Sequence, residues 1–229
     1  MRHASSTWKQ PLHLASKRVF EAFEALLPKH ELPLILDSGC GTGQSTRSLA
    51  NAFPECLVVG VDKSASRLRR VGADGTPRRE GNAIWLRCEL ETFWRLALRR
   101  DLQFCRQYLL YPNPWPKPGQ LQRRWHAHPV FPDLLRLGGR LEMRCNWKPY
   151  ALEFAMAVNH FCGTALKPQA VGESPPLSPF ESKYRASGHA LYSVVLSASS
   201  NRCLLYTSPS PRDLRQDLVC RLLLENRGG

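Results

Sequence analysis

"LDSGCGTG", Leu36 to Gly43, sets three glycines at alternate positions behind an acid. The apolar run "PLIL" leads into it, and a helix-compatible segment from about Gln44 to Phe53 leads out. Glycine alone enters the left-handed backbone region without steric cost, so a Gly-x-Gly-x-Gly turn lets a ligand approach the main chain closely. A helix opening directly behind the turn offers unpaired N–H groups to the same ligand. The stretch thus reads as a strand, a ligand-binding turn and a helix, which is the first unit of a doubly wound sheet.

Working outward, "CLVVGVD" is a second buried strand ending at Asp62, and "AIWLRCE" a third ending at Glu89. An acid at the end of the second strand accepts hydrogen bonds from both hydroxyls of a ribose. Asp37 stands two residues before the first glycine, where it would meet the cationic amino acid end of S-adenosyl-L-methionine but repel the phosphates of a dinucleotide. Glu89 would face the adenine edge. The expected cofactor residues are Asp37, Gly39, Gly41, Gly43, Asp62 and Glu89, and the expected cofactor is S-adenosyl-L-methionine.

The rest of the chain keeps the alternation. Ser16 can cap a helix carrying Val19, Phe20, Phe23, Leu26 and Leu27 on one face and ending near Pro28. A polar helix "SASRLRRV", a loop from Gly72 to Gly81, and the helix "ETFWRLALRR" surround the third strand. "RQYLLYP" is a fourth strand, followed by a basic helix "QLQRRWHA" and a short one, "PDLLRL". "RLEMRCNW" is a fifth strand, with a long helix from about Pro149 to Phe161 behind it. A short strand near Thr164 to Lys167, a Pro-rich loop through "SPPLSPFES" and a final strand "ALYSVVL" complete the pattern. Strands that are apolar on both faces and alternate with helices predict an α/β fold, a Rossmann-like doubly wound sheet, mostly parallel, with an antiparallel last strand. The expected organisation is an N-terminal helical segment over 1–32 and one S-adenosylmethionine-dependent domain over 33–202.

Residues 203–229 read differently. Cys203 to Asp213 resembles the conceptual translation of a transposase adapter used in sequencing libraries, and Asp217 to Leu224 a flow-cell adapter in the same frame. This segment is read as adapter-derived and set aside from fold reasoning.

The whole chain of 229 residues carries a formal net charge of +13, and the part before the tail keeps +12. Such a charge favours a polyanionic partner, most often nucleic acid. Eight cysteines without a paired C-x-x-C argue against a zinc site, so no metal is expected. No apolar run approaches a membrane span, and the N-terminus lacks the apolar core of a secretory signal, so the expectation is a cytoplasmic protein without a membrane partner.

The substrate end is "YPNPWPKPG", Tyr111 to Gly119, beyond the fourth strand. Pro112, Pro114 and Pro116 stiffen it, so Asn113 and Lys117 are held with little entropy left to lose. Trp115 either stacks on a base or fills a hole. Arg123 and Arg124 follow as expected phosphate contacts. Arg69, Arg70, Arg78 and Arg79 form a second basic group. His126 and His128 lack metal-ligand companions and read as structural or RNA-facing.

Taken together, "LDSGCGTG", "VGVD", "YPNPWPK" with its following "QRR", "CNWKPY" and "PFESKYRASGHALY" resemble the bacterial tRNA (guanine-N(7)-)-methyltransferases, over about Leu34 to Leu196. The resemblance implies a Rossmann-like fold and S-adenosylmethionine-dependent methylation of a guanine in the tRNA variable loop, with tRNA as partner and a monomer or homodimer as the assembly. Asp37, Asp62 and Glu89 match the family's cofactor acids. Asn113 matches a catalytic, cofactor-contacting Asp. Lys117 and Asn146 match substrate-contacting positions, the latter also usually Asp. Ser178, Phe180 and Glu181 lie in "SPFE", which matches a Thr-x-Phe-Glu substrate segment. Asp37 replaces the usual Glu. Two alternatives share these residues: methyl transfer to an amino group of another nucleic acid or small molecule, and a catalytically decayed RNA-binding homologue.

Overall fold

The computed structural model describes residues 8–28 and 32–199, and the adapter-like tail lies outside the described residues. Five parallel strands form the centre: β1 (Leu34–Ser38), β2 (Leu57–Asp62), β4 (Ala83–Arg87), β5 (Arg106–Leu110) and β6 (Arg140–Cys145). Three antiparallel strands extend the edges: β3 (Arg78–Glu80), β7 (Gln169–Ala170) and β8 (Tyr192–Leu196). The order across the sheet is β3-β4-β2-β1-β5-β6-β8-β7. β1 pairs with β2 on one side and β5 on the other, so the chain order reverses between them. Ligands of doubly wound sheets bind beyond the carboxyl ends of the strands at such a reversal.

The helices are α1 (Leu14–Glu24), α2 (Gln44–Ala52), α3 (Ala65–Leu68), α4 (Leu90–Arg99), α5 (Phe131–Arg136), α6 (Lys148–Cys162) and α7 (Pro179–Ala186). They cover both sheet faces and create two apolar layers. The larger contains Phe20, Phe23, Phe93, Trp94, Phe131 and Phe154, and the smaller is built around Leu49, Val58, Trp85 and Tyr108. All six residues of β2 are buried, which is why it reads as an unbroken apolar run. Phe20 and Phe23 bring α1 into the larger layer, each ring worth roughly 1.5–3 kcal/mol on burial. Ser16 is not the cap of α1. His13 takes that place, and the buried Ser16 Oγ accepts the Glu89 N–H at 3.0 Å.

Four local expectations differ. β3 occupies the segment expected to be a loop, because its three residues are all charged and exposed; such charges also block edge-to-edge pairing. "QLQRRWHA" forms two short 3-10 turns, Pro118–Arg123 and Trp125–Ala127, instead of a helix. α7 forms where the Pro-rich loop was expected, with Ser178 capping it and Pro179 in its first turn, where the missing N–H costs nothing. The short penultimate strand is Gln169–Ala170, beyond Thr164–Lys167.

Candidate active site

The glycine turn behind β1 contains two kinds of glycine. Gly39, Gly41 and Gly43 all have positive φ, at 80°, 59° and 80°. A Cβ on Gly43 would lie 2.7 Å from Trp85 Nε1 and 2.9 Å from Val71, so this glycine is required by packing. A Cβ on Gly39 or Gly41 would meet nothing within 4 Å. These two therefore line open space at the carboxyl end of the sheet, the cradle a nucleotide-like group needs.

The end of β2 fixes that turn. Val61 O accepts the N–H groups of Gly39 and Cys40 at 2.8 and 3.1 Å. Asp62, 5% exposed, accepts Gly41 N–H at 3.0 Å with Oδ2 and Ser64 N–H at 2.8 Å with Oδ1. Asp62 O accepts Cys88 N–H at 3.0 Å, which brings Glu89 to the same rim. Glu89 is partly exposed, with Lys63 Nζ 4.0 Å away.

Asp37 lies beneath the turn and is 0% exposed. Its Oδ2 accepts Ser45 Oγ–H at 2.6 Å and Thr46 Oγ1–H at 2.7 Å, and its Oδ1 is buried without a partner. Burial raises its pKa to about 6 against the two hydrogen bonds, with the Asp62 charge adding to the rise. At neutral pH it is a buried anion under the cradle, and it favours a cation above.

The second wall comes from β5 and β6. Ser38 of β1 is in register with Leu109 of β5, so the loop after Leu110 opens beside the glycine turn. Tyr111 and Trp115 have positive φ, at 51° and 45°, a region bulky side chains rarely enter. Such residues persist where surroundings hold them. Here Tyr111 N–H donates to Arg144 O at 2.8 Å, and Trp115 O accepts from Arg124 Nε and Nη2 at 3.2 and 3.0 Å. Arg124 also pairs with Glu153 and lies over the Trp147 ring at 4.9 Å. His126 Nε2 joins Glu153 at 3.1 Å, and burial lowers the His126 pKa to about 4 despite that carboxylate.

The expected substrate residues divide accordingly. Asn113 and Lys117 are exposed on the loop, and Asn113 Oδ1 accepts Trp115 N–H at 3.3 Å. Arg123 is also exposed, 4.9 Å over the Trp115 ring. Asn146 directly follows β6, one residue position past the strand's end, and is partly exposed. Arg124 is placed differently from Arg123: it is 5% exposed, and its guanidinium is held by Trp115 O and Glu153, so it clamps the loop. Ser178 and Glu181 are committed to contacts within the fold. Ser178 Oγ accepts Glu181 N–H at 3.2 Å as the cap of α7. Glu181 is 0% exposed and ion-pairs with Arg144 at 3.0 Å and Arg185 at 2.7 Å. Phe180, 47% exposed, stacks on Tyr184, which in turn meets Tyr111, so an aromatic row runs from α7 to the loop.

Arg144 and Glu153 were missed in the sequence. Arg140, Glu142 and Arg144 alternate along β6, and period-two charge inside an otherwise apolar strand is the signal that marks them. Arg144 joins Glu142 at 2.6 Å and Glu181 at 3.0 Å and so ties β6 to α7. Glu142, Glu153 and Glu181 are each paired with arginine, and the exposed or partly exposed expected substrate residues on this side, Asn113, Lys117, Arg123 and Asn146, are amides and cations. Among the described residues no group of three His, Cys, Asp or Glu side chains is placed to hold a metal, and no helix is long and apolar enough to cross a membrane.

A family model described as a putative methyltransferase matches residues 31–194. The tRNA (guanine-N(7)-)-methyltransferase of Nitrosomonas europaea is 23% identical over 203 residues, covering 78% of this chain and 90% of that protein. The enzyme of the same name from Saccharophagus degradans is 28% identical over 185 residues, covering 73% and 76%. The trans-aconitate 2-methyltransferase of Deinococcus radiodurans is 43% identical over 107 residues, which is 46% of this chain and 38% of that protein, so the match spans less than half of that relative. A solved 16S rRNA methyltransferase, KamB, superposes with a TM-score of 0.52 at 18% identity over 76% of this chain and 90% of its own, a likeness of fold.

Proposed function

The chain belongs to the putative methyltransferase family, and from that premise we propose that it transfers the methyl group of S-adenosylmethionine to N(7) of a guanine in tRNA. One observation carries the reading: the open cradle over Gly39 and Gly41 adjoins, across the β1–β5 pair, a proline-stiffened loop that presents Asn113 and Lys117. Relatives aligned over most of the chain bear that activity in their names.

When bound, S-adenosylmethionine supplies an electrophilic methyl group on a sulfonium. Gly39 and Gly41 leave the room it occupies, and Asp62 retains lone pairs for the ribose hydroxyls beside the bonds it already accepts. Glu89 stands at the adenine side. The Asp37 anion beneath the turn attracts the cationic end through the field rather than by contact. Guanine N(7) already carries a lone pair, so no residue has to remove a proton from it. Positioning by Asn113, Lys117 and Asn146 therefore supplies much of the rate.

The methylated base becomes cationic. A unit negative charge at about 4 Å and an effective dielectric near 20 is worth roughly 4 kcal/mol to that change. Asn113 and Asn146 supply orientation without that charge, and the neighbouring carboxylates are neutralised by arginine. The protein is accordingly a slow methyltransferase. A second reading rests on the exposed Asn113 oxygen, whose one hydrogen bond, to Trp115 N–H, is long at 3.3 Å. Such an oxygen can accept from an exocyclic amine and direct the methyl group there.

Nucleoside analysis separates the readings after tRNA is incubated with the protein and methyl-labelled cofactor. Label in 7-methylguanosine is expected. Label in an amino-methylated base gives the second reading, and tRNA binding without label means that the site has decayed.

A further inference from the structure

A strongly basic rim borders the proposed site on its β2–β4 side. Lys63 follows Asp62 at the carboxyl end of β2, Arg67, Arg69 and Arg70 lie on α3 and the turn after it, Arg87 ends β4, and Arg78 lies on the edge strand β3 opposite Trp85. All six are exposed. Lys63, Arg67 and Arg69 have acids within 4 Å, at Glu89, Asp62 and Asp74. Arg70, Arg78 and Arg87 make no ion pair among the described residues. These charges are therefore not consumed by the fold, unlike Arg124 and Arg144.

The position of the rim limits its partner. Its α3 and β4 residues share the carboxyl edge of the sheet with the glycine turn and the Tyr111 loop. β3 stands four strands from β5, and at about 4.8 Å per step the rim reaches roughly 19 Å from the proline loop. A small substrate at Asn113 does not span that distance, whereas a folded RNA does. Arginine dominates the rim, and its planar fork suits phosphate oxygens. The exposed large apolar residues, Leu14, Leu121, Leu152, Met156 and Phe180, all belong to other segments, so the rim lacks the apolar anchors of an interfacial membrane site.

We propose that this rim is a second tRNA-binding surface, holding phosphates of the same molecule whose target nucleotide enters beside Asn113. The inference rests on the tRNA reading above. It gives the enzyme a grip on the body of the substrate that is independent of the nucleotide being methylated.

The test is a triple variant, Arg70→Ala, Arg78→Ala and Arg87→Ala, compared with the wild type in titrations of a tRNA transcript across salt concentrations. Each lost contact flattens the slope of log affinity against log salt by about 0.7–0.9 and costs about fourfold at about 0.15 M salt, so roughly 60-fold is expected for three. Cofactor affinity, thermal midpoint and turnover at saturating tRNA stay at wild-type levels, and KM for tRNA rises. Unchanged tRNA affinity and salt slope overturn the proposal. So does equal loss of cofactor binding, which would mean general damage, and so does preferential binding of phosphatidylserine vesicles over tRNA. If tRNA binding falls as expected while neither protein forms 7-methylguanosine, the rim stands and the guanine-N(7) reading fails.

Discussion

The β1–β2 half and the β5–β6 half of the site use acids in opposite ways. On the cofactor side, Asp37 and Asp62 are both buried: Asp37 has hydroxyl partners, and Asp62 has one loose ion pair, with the exposed Arg67 at 3.8 Å. Their negative charge remains available to a cationic ligand. On the substrate side, Glu142, Glu153 and Glu181 are each held by arginine, and the positions facing outward are Asn113, Asn146, Lys117 and Arg123. One half stores charge for binding a cofactor. The other spends its charge on holding a strained loop in place. Under the proposed function, the molecule therefore keeps charge for S-adenosylmethionine and orients an RNA base, but gives little electrostatic help to the transfer.

The comparison breaks most visibly at Asp62. Asp62→Ala removes the backbone hydrogen bonds from Gly41 in the turn and from Ser64 after β2, together with the ribose acceptor, and charge-assisted hydrogen bonds are worth about 1.5–3 kcal/mol each. Titration calorimetry is expected to show cofactor affinity reduced by about 100- to 1000-fold; affinity within a fewfold of wild type would remove Asp62 from the cofactor site.

On the other half the expected effect is on stability. Arg124→Ala leaves Trp115 O without its donors and Glu153 without its partner, at about 2–3 kcal/mol in denaturant unfolding. Because Glu153 is partly exposed, the loss falls short of a fully buried pair. Arg124→Lys recovers less than half, since an ammonium cannot reproduce the planar fork that reaches both groups. Full recovery by Lys would show that charge alone holds the loop.

The smallest effect is a pH dependence. The Asp37 pKa is about 6 in the folded protein, above its ordinary value of 3.8. A raised folded pKa contributes stability that is fully present below the unfolded pKa and lost as pH rises through the folded one. Between about pH 5 and pH 7.5 the ligand-free wild type therefore loses about 1.4 kcal/mol that Asp37→Asn, which does not titrate, retains. Parallel stability profiles for the two proteins would mean that Asp37 is not a buried anion at neutral pH.

The sheet was legible because its central strands are buried on both faces and appear as continuous apolar runs broken by glycine turns. β3 was not, since an edge strand of three charged residues has no apolar pattern to detect. The helix α7 was obscured by its prolines, although Ser178-Pro179 is itself a helix-start signal. At the site, the glycines, Asp62 and the proline loop were visible as local motifs. The commitment of Arg124 and Glu181 to ion pairs was not, because their partners Glu153 and Arg144 are 29 and 37 positions away in the chain. Local sequence shows that a residue is charged; only the fold shows whether that charge is already paired.

The central claim is that this site orients a guanine correctly but lacks a negative charge beside it. The direct measurement is the single-turnover rate of 7-methylguanosine formation in tRNA, with saturating S-adenosylmethionine, for the wild type and Asn113→Asp. The wild type is expected to form 7-methylguanosine slowly and Asn113→Asp to form it faster by up to about 100- to 1000-fold. An unchanged or lower rate in Asn113→Asp, at wild-type stability and cofactor affinity, would contradict the account.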